Sequence, residues 1–243
     1  MVSVLDAYER TLSESINKYG NMAVGTLMVR LQYLAALLRE MVLHPNPEIQ
    51  AKLCLVRHAV IQHYGRNNIP PSTLRDFIKR DVTPEQNIVY SFDSTLFNER
   101  YSNLINEEVV SNIKILDTSL AHKLQDLHWY LYVVDENYVP LIFTKPMRTT
   151  DLVLNRNITL NNKYMLVHPV LVYNRALRVR TAGEVCFILE KDKVIAAIAN
   201  TKSGHFRPDP ESAEIAVECI SQNLDIPKDS VISIPVGVYN EDK

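Results

Sequence analysis

The chain has 243 residues, 47% hydrophobic and 22% charged, with a formal net charge of −2. That length supports a real core in one large domain or two small ones, and the composition excludes disordered, fibrous and collagen-like classes. No apolar run reaches the roughly 20 residues of a membrane helix, and residues 1–10 lack a signal-peptide core, so a cytoplasmic protein without a membrane partner is expected.

In chain order, the first third reads as helical. Ala7, Leu12, Ile16 and Tyr19 recur at helical spacing, Leu27, Leu31, Leu34, Leu37 and Leu38 mark a second helix over 22–43, and Asn46-Pro47-Glu48 caps a third running to Tyr64. Ser72 caps a short basic helix carrying Arg75, Lys79 and Arg80, and Thr83-Pro84-Glu85 opens a further turn or helix. Residues 90–116 are mixed, and 119–127 suggest one more helix. Short β-branched or aromatic runs follow at 129–134, 139–143, 164–168, 185–189, 194–199 and 231–236, with Glu190-Lys191-Asp192-Lys193 as a four-residue hairpin turn. A helix over 211–224 packs on this sheet through Ile215, Ala216, Cys219 and Ile220. The expectation is an α+β protein: a helical domain over 1–125, then a mostly antiparallel sheet with one packed helix over 126–243. With only 6 glycines, no Gly-rich phosphate loop and no βαβ repeat, Rossmann and P-loop classes are excluded.

The candidate site lies where residues 194–198 leave a strand and Asp209-Pro210-Glu211 opens a helix. Ser203, Gly204, His205 and Arg207 sit between, where free backbone N–H groups and the helix dipole favour an anion. His205 suits general acid/base work, with Glu184 as its carboxylate partner or acting on a sugar hydroxyl, and His168 ends a strand as a positioning residue. Each has a plainer reading: Ser203-Gly204 as a turn, His168 as a core imidazole, Glu184 as a surface partner of Arg178 or Arg180. From Lys145 to Arg180 seven bases face one acid, Asp151, a stretch that reads either as a solvated strand surface or as a seat for a phosphate-bearing ligand or nucleic acid. Cys54, Cys186 and Cys219 lack any Cys-x-x-Cys pairing, which fits buried thiols rather than disulfides or zinc, and no metal is indicated.

Residues 166–170 (Leu-Val-His-Pro-Val), Thr181-Ala182-Gly183-Glu184-Val185, residues 200–208 (Asn-Thr-Lys-Ser-Gly-His-Phe-Arg-Pro) and Leu224-Asp225-Ile226 resemble, in order, the His-Ser-Ser, Ala-Gly-Glu, Ser-Gly-His-Tyr-x-Pro and Asp-Leu-Ser motifs of a domain found in bacterial polymorphic toxins and plant IQ-motif calmodulin-binding proteins. Pro169-Val170 stand where that domain has two serines, and Phe206 where it has tyrosine. The resemblance implies a toxin-like or effector-like protein. By residue type and order, a comparison with ADP-ribosyltransferases gives a group transferase using NAD or another nucleotide. His205, Glu184 and His168 would be catalytic, and Ser203, Gly204, Arg207, Arg178 and Arg180 would bind the ligand.

Residues 57–65 resemble the Arg-polar-x-x-x-His signature of HEPN ribonucleases, although the usual spacing puts the histidine at Gln62, and His63 lies about 100° further round a helix. This resemblance implies a homodimer that binds or cleaves RNA through Arg57 and His63. A third reading is a non-enzymatic, ligand-gated interaction protein.

Overall fold

The computed structural model describes residues 3–67, 78–82, 88–154, 159–160 and 164–236. Helix α1 (Val4–Tyr19) starts on a capping box in which Ser3 and Asp6 bond each other's backbone N–H groups. Helix α2 (Val24–Leu43) buries half of its residues, because it lies between α1, α3 (Pro47–Asn67) and the sheet.

Strands β1 (Ile78–Val82) and β2 (Ile88–Phe92) pair antiparallel, so Lys79 and Arg80 lie on a strand, not on the expected basic helix. Arg75 and Thr83-Pro84-Glu85 fall outside the described residues. The mixed region resolves into α4 (Ser94–Arg100), a 3-10 turn (Ser102–Leu104), α5 (Glu107–Asn112) and β3 (Ile113–Ile115), with Asp93 and Asn106 as side-chain N-caps. A 3-10 turn (Thr118–Lys123) replaces the helix expected at 119–127.

Strands β4 (Trp129–Asp135) and β5 (Pro140–Phe143) form a hairpin, followed by the short α6 (Thr149–Val153) and the small pair β6 (Thr159–Leu160) and β7 (Tyr164–Met165). His168 opens a 3-10 turn (His168–Val172) instead of ending a strand, since Pro169 removes a backbone donor and fits the first turn. Strand β8 (Arg178–Glu190) is far longer than its apolar run and hairpins into β9 (Lys193–Asn200). The turn needs two residues, not four: Lys191 and Asp192 both take positive φ (50° and 63°), the geometry whose twist suits a tight hairpin.

A 3-10 turn (Pro210–Ser212) leads into α7 (Ala213–Leu224), and β10 (Val231–Ile234) returns parallel to β9. Parallel neighbours require a crossover, so β9, α7 and β10 make one βαβ unit, without a second among the described residues. Asp225 ends α7 in the left-handed region (φ 53°) and the Ile226 N–H returns to the Ser221 carbonyl, which gives residues 224–226 a capping role.

Eight strands form one mixed, mostly antiparallel sheet, with β8 at its centre: β4 lies along one edge, and β2 and β9 share the other. Side chains alternate across a strand. Leu131, Val133, Ala182, Cys186, Ile188, Ala196 and Ile198 pack toward α2 and α3, while Tyr130, Tyr132, Val134, Val185, Phe187, Ala197 and Ala199 pack toward α7. Burial on both faces explains why β4 reads as an unbroken apolar run. The core beneath the helices takes residues from both sides of position 125, and β1, β2 and β3 join the same sheet as the later strands. Among the described residues, no helix is long and apolar enough to cross a membrane.

Candidate functional site

Glu184 shares its face of β8 with Ala182 and Cys186, the face covered by the helical layer, and is only 6% exposed. Its backbone N–H donates to Asn200 Oδ1 (3.0 Å), which also accepts from the Lys202 N–H (2.9 Å), so one amide side chain locks β8 to the start of the loop. Burial holds the Glu184 carboxyl above the usual glutamate range, with Lys202 and Asn200 pulling the other way. Tyr64 reaches it from α3: the two are electrostatically coupled, and Lys202 Nζ lies 5.9 Å from the Tyr64 ring centre. Among the described residues, Glu184 Oε2, Asn200 Nδ2 and the Tyr64 hydroxyl are buried without a well-formed hydrogen bond, although the Asn200 side chain lies close enough to the Glu184 carboxyl to pull its pKa down.

Gly183 makes this arrangement sterically feasible. A Cβ there would stand 2.0 Å from the Asn200 carbonyl oxygen, a backbone atom that cannot swing aside. That carbonyl accepts a hydrogen bond from the Tyr132 hydroxyl (2.9 Å), which fixes the end of β9 across β8. On Gly183's other polar atom, His168 Nε2 lies 3.0 Å from the carbonyl oxygen. A carbonyl only accepts, so Nε2 carries the hydrogen and, in the neutral ring, Nδ1 is the acceptor. Burial, followed by the nearby charges of His205 and Lys202, pushes the His168 pKa down to about 3.

His205 belongs to the same neighbourhood. Its Nε2 is 3.1 Å from the Tyr101 hydroxyl, and its ring meets Phe92 and Tyr101 edge-on with centres 5.7 and 5.5 Å away. Burial and then Arg207 push its pKa down to about 4, so the ring is neutral at pH 7. His168 thus bonds the residue before Glu184, the charges of His205 and Lys202 reach it, and Asn200, Lys202 and Tyr64 lie around Glu184, while Tyr101 holds His205.

The proposed ligand-binding residues fare differently. Ser203 Oγ accepts the Phe206 N–H (3.2 Å) and the Ser203 carbonyl accepts the Arg207 N–H (2.9 Å), so Ser203 closes a turn that Arg207 finishes at φ 47°. Phe206 is fully buried in the core, while Gly204 is exposed with open space around it. Asp209 makes no side-chain cap, and Ser212 at the start of α7 bonds Thr181 (3.0 Å), one residue out of phase with the Ala182 and Glu184 face. Neither Asp209 nor Ser212 caps the helix start with its side chain, so the first backbone N–H groups receive no acceptor from them.

Arg178 pairs with Glu136 at 2.8 Å, and Arg180 donates to the Glu136 carbonyl and lies over the Tyr138 ring at 4.1 Å. With Arg175 on Asp135 and Lys145 on Glu108, much of the basic stretch is matched by acids from outside it. Arg156 and Lys163 fall outside the described residues. Cys186 and Cys219 are buried thiols as expected, whereas Cys54 is exposed.

Arg57 and His63 do not form one site within the protomer. Arg57 donates to the Ser233 carbonyl (2.7 Å) and hydroxyl (3.2 Å), tying α3 to β10, while buried His63 lies near Arg30 of α2. Six residues along a helix turn the side chain by about 240°, which accounts for the divergence. The residue in that segment that serves the cluster is Tyr64.

Among the described residues, no group of three or more His, Cys, Asp or Glu side chains is placed to hold a metal ion. Tyr64, Tyr101, Tyr132, Asn200 and Lys202 were missed as site residues from sequence. Asn200 and Lys202 lie inside the recognised loop motif, but only the register of β9 against β8 brings them to Glu184. No family model matches the chain, and no curated protein or solved structure matches it.

Proposed function

We propose that this chain binds a phosphate-bearing, nucleotide-type ligand at the buried polar cluster around Glu184 and acts on it by group transfer, in the manner of a toxin-like or effector-like enzyme. The observation that carries this reading is a group of three buried atoms that lack a well-formed hydrogen bond among the described residues: Glu184 Oε2, Asn200 Nδ2 and the Tyr64 hydroxyl. Each unmade buried bond costs about 1–3 kcal/mol, and three gathered from β8, β9 and α3 suit a ligand carrying both donors and acceptors, such as a ribose.

In the ADP-ribosyltransferase-like form of this reading, NAD is the cosubstrate. The bond from ribose C1′ to nicotinamide breaks with its electron pair leaving on nicotinamide, and an acceptor oxygen or nitrogen forms the new bond to C1′. Neutral His205 takes the acceptor's proton, Glu184 bonds a ribose hydroxyl, and His168 Nδ1 positions the ring. A ligand hydroxyl donating to Oε2 would favour the carboxylate, which burial alone disfavours.

A thermal-shift panel with NAD, nucleoside mono- and triphosphates and a short RNA tests the reading. A ligand at a hundred times its Kd stabilises by about 2.7 kcal/mol. The expected result is a nucleotide-specific shift that disappears in Glu184→Gln and shrinks in His205→Ala. A response to RNA alone, untouched by either substitution, would overturn it and return attention to the helices.

A further inference from the structure

Strand β10 lies beyond β9, and among the described residues no strand pairs with its outer side. A cleft of about 820 Å³ opens there between the α2–α3 corner and α7 with β10, a volume within the range of small-molecule sites. Met41, Val42, Leu53, Val217 and Ile232 line it, so its walls are largely apolar.

Arg57 is half-buried in this lining. Its guanidinium meets Ser233 side-on: Nε donates to the carbonyl oxygen (2.7 Å) and Nη2 to the hydroxyl (3.2 Å). Those bonds use the edge formed by Nε and Nη2. The edge between Nη1 and Nη2 presents one N–H from each nitrogen and makes no bond among the described residues, and no carboxylate there forms an ion pair with Arg57. Such an edge holds a carboxylate through two parallel bonds. Ser233 also fixes the plane of the guanidinium in advance, which lowers the ordering cost of binding. Of the other charges in the lining, Lys228, Glu214 and Asp229 are all exposed, and Lys228 pairs with Glu214 at 3.9 Å. Arg57 is therefore the cation set among the apolar walls.

We propose that this cleft binds a small organic acid, with a fatty or aryl body on the apolar walls and its carboxylate on the Nη1–Nη2 edge of Arg57. It is a second site, independent of the Glu184 cluster. The competing account leaves Arg57 as a tie between α3 and β10 and nothing more.

Cys54 supplies a local readout. It lines the cleft one helical turn before Arg57 and is exposed, whereas Cys186 and Cys219 are buried, so a maleimide should modify Cys54 first and a ligand in the cleft should shield it. Alkylation of the full chain is followed by mass spectrometry with octanoate and 2-naphthoate, and with octanamide and 2-naphthamide, which keep the shape and lose the charge. In the wild type at least one acid should protect Cys54 at concentrations about tenfold or more below those its amide needs, the loss typical of a charge-assisted bond. The better of the two acids tells a fatty from an aryl body. Arg57→Gln should erase the advantage of acid over amide, and Arg57→Lys, which keeps the charge without the fork, should fall between. Glu184→Gln should protect as the wild type does, so this proposal and the nucleotide reading fail separately. No protection by either acid, equal protection by the amides, or an acid advantage undiminished in Arg57→Gln would each overturn the proposal. If Arg57→Gln does not melt cooperatively, Arg57→Lys carries the comparison: a reduced acid advantage supports the proposal, and an equal one contradicts it.

Discussion

The two faces of the central sheet use the same strands for different ends. Under α7, Tyr130, Tyr132, Val185, Phe187, Ala197 and Ala199 pack against Ala216, Val217, Cys219, Ile220 and Leu224, and the polar atoms there mostly find partners, Arg180 Nη1, whose charge reaches Cys219, being an exception among the described residues. The Tyr130 hydroxyl accepts the Gln125 N–H at 2.7 Å, Tyr132 donates to Asn200, and Thr181 bonds Ser212. Under α2 and α3 an equally apolar core holds Glu184, Asn200, His168, His63 and Arg30, with bonds left unmade at Glu184, Asn200 and Tyr64. One face is built for packing. The other gives up stability, at about 1–3 kcal/mol for each unmade bond, in a place where packing alone would have selected Leu or Val.

Substitutions can break or sharpen that contrast. The largest effect is expected at Gly183, where β8 touches the Asn200 backbone: Gly183→Ala should cost about 3 kcal/mol or more, read from the urea midpoint, and abolish nucleotide binding with it. A cost near zero would mean that β9 can yield and that the close approach is not a constraint.

Next comes the acid limb of the stability curve. Burial depresses His168 from 6.5 to about 3, so its contribution is fully present above 6.5 and is lost as pH falls from there toward 3. His168→Gln should flatten the fall in melting temperature over that window, and an unchanged slope would remove His168 as its source.

Glu184 has the opposite sign. Its folded value is raised, so stability is greatest at low pH and declines as pH climbs from the ordinary glutamate range toward the raised value. Glu184→Gln should therefore gain on the order of 1 kcal/mol at pH 7 while losing the nucleotide-induced shift. A destabilised variant that still binds nucleotide would place Glu184 in the packing, not the site.

The smallest effect is expected at Gly204, at the exposed tip of the loop: Gly204→Ala should stay within about 0.5 kcal/mol in stability, with ligand affinity unchanged. A tenfold loss of affinity there would restore the exposed loop as the ligand seat.

The sequence conveyed the helices well, because α1, α2 and α3 carry strong periodicity and caps. The sheet was less legible. The polar end of β8, Arg178 to Glu184, interrupts the apolar pattern because it carries site and ion-pair residues, and β1, β2 and β3 are too short or polar to stand out. Among the candidate residues, His168, Glu184 and His205 were visible as chemistry-bearing types, although Glu184 lies in the middle of β8 and His168 on a 3-10 turn, not at strand ends. Ser203 and Gly204 were equally visible, but a turn and a site draw on the same residues, and the bond from the Phe206 N–H to Ser203 shows the turn alone. Arg178 and Arg180 looked available because their partner Glu136 and the Tyr138 ring lie some forty residues earlier, a pairing set by the β4–β8 register. Tyr64 carried no signal at all, since nothing local in α3 indicates which strand it will cover.

The most direct test is carbon-13 NMR of the Glu184 carboxyl, assigned through Glu184→Gln. Without ligand, it should titrate above the ordinary glutamate range, and its resonance should move on addition of the nucleotide that raises the melting temperature. A carboxyl that titrates with the other glutamates and ignores every nucleotide would contradict the claim that this face of the sheet keeps its unmade bonds for a ligand.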